Sequence, residues 1–330
     1  MLYLHGMGHF HPENVVDNDF LESLDIGTDD AWIIERVGIE SRRTVLPLDY
    51  IRATRNADPR AAAEAALFDN AETGARAARL AMERAGVGPE QIGLVLAGGC
   101  SPDYAIPAEA ARIAARLGIA APALDLASAC SSFGAQVHFC AQMGATLPEY
   151  VLVVQPENNT RVVDYRDRAS CVLWGDGTAA AVLSARVPAR LRVDLTSFDS
   201  NPAGWDKVVV PRTGHFTQDG RAVQTFAIKT TRDLVAGIRA RADAPNRLML
   251  IAHQANLLML QAVRRFTGID EDRHFTNVVD FGNTGAAGAP SILSQRWDDW
   301  RDGDEIALAV VGSGLSWSAM RIRVGAGGAA

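Results

Sequence analysis

Five short apolar runs punctuate this chain: Ile92–Leu96, Tyr150–Val154, Ala179–Leu183, Leu248–Ala252 and Ile306–Val311. Each has the length of a strand and lacks polar alternation, the pattern of strands covered on both faces. Alanine-rich windows with helical spacing lie between them, at Asn70–Ala85, Pro107–Leu117 and Thr230–Arg241. Strands alternating with helices predict an α/β protein with mainly parallel sheets. At 330 residues the chain is long for one core, so two packed halves are expected. The halves echo each other. In each, a strand ends in a polar loop (Gly98–Ser101; His253–Asn256), and a later small-residue segment opens a buried helix (Ser128–Ser132; Asn283–Ala287). This points to an internal duplication of residues 1–186 and 187–330, with the pattern interrupted at Ser184–Arg190. The glycine- and alanine-rich end, 325–330, is expected to fray.

Composition excludes several function classes. A net charge of −7 gives no general attraction to nucleic acid or anionic membrane, so an anionic partner needs a local basic patch. No run approaches the roughly 18 apolar residues of a membrane span, and the first residues lack a secretory pattern. The four cysteines have neither C-x-x-C spacing nor the density of a disulfide scaffold. These features predict a cytoplasmic protein. His5, His9 and His11 share one stretch without a second cluster, so no metal is expected.

Cys130 carries the chemistry. A buried cysteine is ordinarily a small hydrophobe, the reading given to Cys100, Cys140 and Cys171. Cys130 differs because it falls where a buried strand turns into a buried helix, among the small residues Ala127, Ser128, Ala129, Ser131 and Ser132. Backbone N–H groups at a helix start favour a thiolate. His253 follows an apolar strand, the strand-to-loop position where α/β proteins place ligands. Asn283 either caps a helix or donates its amide to an oxygen that becomes negative. A nucleophilic cysteine with histidine and asparagine is a set for acyl transfer.

Six segments in order give this set a family context: Gly6–Val16, Asp29–Arg43, Asp164–Gly177, His253–Asn256, Gly282–Thr284 and Gly312–Gly314. Over nearly its whole length the chain resembles β-ketoacyl-acyl-carrier-protein synthase III, a condensing enzyme of the thiolase superfamily. The resemblance implies a five-layered αβαβα fold of two duplicated halves and a homodimer. It implies that Cys130 is acylated by an acyl-CoA. His253 and Asn283 then hydrogen-bond the oxygen of a malonyl thioester while carbon dioxide leaves. The N–H groups of Cys130 and Ser313 form the oxyanion hole. Substrates are acyl-CoA and a malonyl thioester, with no permanently bound cofactor. By position, Trp32 and Arg161 sandwich the CoA adenine and Arg36 joins the CoA site. Trp174 and Ile106 border the acyl pocket, Ile106 from the partner chain. Arg264 and Arg265 dock the acidic acyl carrier protein.

The chain departs from the family pattern at several places. Leu258 stands where an arginine helps to dock the carrier protein, and Gly285 and Gly288 replace the more usual serines. Ser131–Ser132 replaces a small-residue–glycine pair, and Val311 replaces a phenylalanine. These leave open a specialised pathway in place of fatty-acid initiation. The alternative reaction is acyl transfer from a thioester to an alcohol or amine without decarboxylation, which would not need Asn283. A catalytically silent partner subunit would be expected to lose Cys130.

Overall fold

The computed structural model describes residues 1–325, so 326–330 of the tail expected to fray lie outside the described residues. Its central sheet has nine strands, numbered here along the chain. They are β1 (Leu2–Phe10), β2 (Ile92–Ala97), β3 (Ala123–Asp125), β4 (Tyr150–Glu157), β5 (Gly177–Ser184), β6 (Leu191–Ser200), β7 (Met249–Ala252), β8 (Glu305–Gly312) and β9 (Ser316–Val324). Their order is β7-β8-β9-β6-β1-β5-β4-β2-β3. Read outward from the middle, β1-β5-β4-β2-β3 and β6-β9-β8-β7 follow one plan. The inner pairs are antiparallel and the outer pairs parallel. Where the second half would carry its last strand, a single parallel bridge joins Leu250 to His274. The two copies join through β1 and β6, over Leu2–Leu4 and Leu191–Val193.

Burial resolves the five layers. In β4, Val151 and Val153 pack into a central core while Leu152 and Val154 pack into an outer one. In β8, Leu308 and Val310 face the central core, and Ala307 and Ala309 face the other outer core. The central layer holds two buried helices, Ser132–Met143 and Gly288–Gln295. One outer layer is helices Asn70–Ala85 and Glu109–Leu117, and the other is Gly220–Arg239 and Leu257–Thr267. Both central helices begin at small-residue turns, and those turns form the site.

Two expectations are corrected, and two strands had no apolar run to mark them. The sheet is mixed, not mainly parallel. Each half contains antiparallel pairs, as between β8 and β9, where the three residues Ser313–Leu315 are too few for a crossover. Strands β6 and β9 carry no continuous apolar run because an ion-pair network sits inside them. Asp194 meets Arg321 and Arg323 at 2.9 Å each, and Glu305 meets Arg323 at 3.2 Å. The helix expected from Thr230 starts at Gly220, where the Asp219 carboxylate accepts the Ala222 N–H at 3.1 Å. Among the described residues no helix is long and apolar enough to cross a membrane.

Candidate active site

After β3 the chain makes a tight turn through Ser128–Ser131. Ala129 has φ +45°, a left-handed conformation that a side chain rarely adopts and that the surroundings must enforce. Serine hydroxyls do this. Ser132 Oγ accepts the Ser128 N–H at 2.9 Å and donates to the Ala129 carbonyl at 2.6 Å. Ser131 Oγ donates to the Ser128 carbonyl at 2.8 Å and lies 2.8 Å from Ser316 Oγ. The Ser131–Ser132 pair thus staples the turn that carries Cys130. Gly312 closes on it from β8: a Cβ there would lie 2.9 Å from Ser131 N and 3.1 Å from Cys130 N. That approach brings Ser313 and Cys130 to one cleft.

Cys130 is 7% exposed. Its thiol is held well below the ordinary cysteine range, first by the hydrogen bond from Cys100, then by the His253 imidazole, against an opposing burial effect. The two sulfurs are 3.6 Å apart. Cys100 is pushed upward by the same bond and by burial, so the proton between them stays on Cys100.

The second half supplies His253 and Asn283. His253 leaves β7 with its N–H bonded to the Ala309 carbonyl at 2.9 Å. The Asn283 backbone is bonded on both sides, to the Leu173 carbonyl at 2.8 Å and from the Gly175 N–H at 3.1 Å. Its Oδ1 accepts the Gly285 N–H at 3.0 Å, which fixes the amide and leaves the NH₂ end for the cleft. Behind it, the buried Glu157 accepts from Ala286 N at 2.7 Å and from Cys100 N at 2.9 Å. Burial, then the charge of Cys130, pushes its carboxyl up to about 8. This carboxyl explains Gly285. The residue has φ +56°, and a Cβ there would lie 2.4 Å from Glu157 Oε1. Cys130, His253, Asn283, Ser313 and Trp174 all line one cleft of about 480 Å³, with apolar walls from Val208, Phe216 and Phe226. Such a wall lowers the local dielectric and strengthens donors aimed at a developing oxyanion.

Comparisons with known proteins give the family and the fold. The family described as 3-oxoacyl-[acyl-carrier-protein (ACP)] synthase III matches residues 124–201, and its C-terminal counterpart matches residues 246–324. A β-ketoacyl-[acyl-carrier-protein] synthase III from Oceanobacillus iheyensis is 32% identical, over 97% of this chain and 98% of its own. The chain belongs to the β-ketoacyl-acyl-carrier-protein synthase III family. Among solved structures, the synthase III of Pseudomonas aeruginosa PAO1 superposes with a TM-score of 0.84 at 28% identity, covering 99% of each chain. That of Aquifex aeolicus VF5 gives 0.85 at 25% identity, covering 98% of this chain and 100% of its own. The fold is therefore thiolase-like, and the protein is a condensing acyltransferase.

Not every residue assigned from the synthase III resemblance lies where the sequence suggested. Arg161 does not face Trp32. It is 5% exposed and locked in a buried ion pair with Asp103, with further bonds to Asn70 Oδ1 at 3.0 Å and the Ser101 carbonyl at 3.2 Å. Arg168 occupies that position instead, its guanidinium 4.9 Å from the centre of the Trp32 ring, with Arg36 at 5.4 Å. Trp32 lies on the helix Asp30–Val37, whose terminal Gly38 rests against Leu257 at the start of the helix after His253. Trp174 packs edge-on against Phe216 at 4.7 Å inside the cleft. Ile106 is 84% exposed and lies outside the cleft of its own chain. Arg264 is engaged by Glu271 at 3.2 Å, whereas Arg265 is exposed. His5, His9 and His11 bond to Val187 O, Ser294 Oγ and Asp176 O. Among the described residues no group of three or more His, Cys, Asp or Glu is placed to hold a metal ion.

Sequence reading missed Cys100, Glu157 and Arg168. Only Arg168 left a signal, lying in the same Asp164–Gly177 segment as Trp174. Cys100 looked like an ordinary loop cysteine, and Glu157 ends an apolar strand with nothing local to mark it.

Proposed function

We propose that this enzyme joins an acyl-CoA primer to malonyl-acyl carrier protein with loss of carbon dioxide, through an acyl-cysteine on Cys130. The thiolate attacks the primer thioester, and the Cys130 and Ser313 N–H groups receive the oxyanion. CoA leaves, and the malonyl thioester enters the same cleft. His253 and the Asn283 amide donate to its carbonyl oxygen as the carboxylate departs. Decarboxylation is limited by the charge it leaves behind, so two fixed donors in an apolar cleft lower its barrier. The enolate carbon attacks the acyl-cysteine, the C–S bond breaks, and a β-ketoacyl thioester forms while Cys130 is released.

The observation that carries this reading is the convergence of Cys130, His253 and Asn283 on one buried cleft. Simple acyl transfer would not need an amide whose orientation is fixed by Gly285. At the rim, Trp32 with Arg168 and Arg36 would hold the CoA adenine, an aromatic face against planar guanidinium groups. Arg161 drops out of that role. Trp174 would border the acyl pocket. Arg265, with Arg264 beside it, would meet an acidic carrier protein. Exposed apolar side chains at Tyr104, Ile106, Leu124, Phe139 and Met143 support a homodimer in which Ile106 reaches the partner's pocket. The division at residues 186/187, a cytoplasmic location and the lack of a resident cofactor belong to the same reading.

The test is intact mass after mixing with a panel of acyl-CoAs, then addition of malonyl-acyl carrier protein with carbon dioxide monitored. The wild type should gain one acyl group, release carbon dioxide and discharge a β-keto product. Discharge onto an alcohol or amine without carbon dioxide would establish the acyltransferase alternative.

A further inference from the structure

Cys100 takes no part in the condensation just described, yet its sulfur is 3.6 Å from that of Cys130. The two residues approach from different clefts. Cys130 lines the cleft that holds His253, while the partly exposed Cys100 lines a second, of about 870 Å³, with Ser101, Pro102 and Tyr104. A nucleophilic thiolate beside a second thiol, with both cysteines lining clefts, is the arrangement of a sulfur centre that oxidises and is then resolved. The other two cysteines lack it. Cys140 and Cys171 are buried, and burial pushes each thiol up to about 12.

We propose that Cys130 and Cys100 form a reversible oxidation site whose co-substrate is a hydroperoxide, hydrogen peroxide being the simplest. The Cys130 thiolate attacks one peroxide oxygen. An S–O bond forms, the O–O bond breaks and hydroxide leaves, giving a sulfenic acid. The Cys100 sulfur then attacks the Cys130 sulfur. The S–S bond forms, the S–O bond breaks, and the departing oxygen leaves as water with the Cys100 proton. Two electrons pass from the thiol pair to the peroxide, which ends as water and hydroxide. The disulfide removes the nucleophile, and a dithiol returns it by exchange. Acylated Cys130 has no thiolate to oxidise, so a primed enzyme is protected. Cys100 thereby keeps Cys130 from advancing to the sulfinic acid, which dithiols do not reverse.

This inference rests on Cys130 being the nucleophile, so acylation of the untreated enzyme by acyl-CoA is measured first, as a separate check on that reading. Enzyme without acyl-CoA is then treated with hydrogen peroxide and followed by intact mass and peptide mapping. The wild type should lose the mass of two hydrogens and link the peptides carrying Cys100 and Cys130. Acylation should be lost and return with dithiothreitol. Pre-acylated enzyme should keep its mass. Cys100→Ser, under excess peroxide, should instead gain two oxygens on Cys130, the sulfinic acid, and stay inactive after dithiothreitol. Oxygen gain at Cys130 of the wild type without a disulfide would overturn the proposal. So would a disulfide to another cysteine, and so would a Cys100→Ser enzyme that recovers like the wild type. The wild-type arm stands alone if the variant does not fold.

Discussion

The two halves repeat one strand plan and carry different chemistry at equivalent places. At the end of the second strand of each half stand Cys100 and His253. At the entry to each buried central helix stand Cys130 and Asn283. On the cysteine side the turn is strained at Ala129 and stapled by hydroxyls, which fixes the Cys130 backbone. On the asparagine side the backbone is fastened to Leu173 and Gly175 of the opposite half, which fixes a side-chain amide. One scaffold used twice thus brings Cys130 to the cleft that His253 and Asn283 line, where the proposed reading makes them a nucleophile and a pair of donors. The duplication supplies the geometry, and divergence of a few side chains supplies the reaction.

Removing the proposed nucleophile should have the largest effect. Cys130→Ala is expected to form no acyl-enzyme by intact mass and to lose roughly 10³-fold or more in condensation rate. Next is the contrast between two arginines of one region. Arg161→Ala leaves Asp103 to Arg112 alone and takes the donor from buried Asn70 Oδ1 and the Ser101 carbonyl, which should cost about 1–3 kcal/mol by denaturant unfolding. Arg168→Ala tests the rim. It should leave unfolding nearly unchanged while raising the KM for acyl-CoA by a factor reflecting about 0.5–1 kcal/mol, the range of an exposed cation–π contact. If Arg161→Ala instead raised KM without destabilising the protein, the original assignment from sequence would stand.

The joint between the halves has a pH signature. Glu157 bonds the Ala286 N–H of the asparagine turn and the Cys100 N–H of the other. Its carboxyl is pushed from 4.5 up to about 8, so between those values the folded protein holds a proton that the unfolded chain has released. The contribution to stability is complete below the unfolded value and fades as pH rises toward the folded one. The melting temperature of the wild type relative to Glu157→Gln should therefore fall between pH 5 and pH 8. A gap that stays constant with pH would contradict a protonated Glu157.

The sequence made most of this legible where burial is complete and local. Strands β2, β4, β5, β7 and β8 announced themselves because both faces are covered by apolar layers. Strands β6 and β9 did not, because Asp194, Arg321 and Arg323 pair inside the sheet and break the apolar run. Cys130, His253 and Asn283 stood out because each sits where a strand or turn gives way to a small-residue loop. Arg161 and Arg168 could not be told apart by residue type. Only the fold shows that Asp103 buries one and Trp32 faces the other. Cys100 and Glu157 owe their places to contacts across the sheet that no local pattern encodes.

The most direct test of the divided roles is Asn283→Ala, incubated with acyl-CoA and then with malonyl-acyl carrier protein, with acyl-enzyme and carbon dioxide measured in the same sample. The account predicts that Cys130 is acylated as in the wild type while carbon dioxide release falls by about 10²–10³-fold, so the acyl-enzyme persists. Carbon dioxide release at the wild-type rate, or loss of acylation in a folded variant, would contradict it.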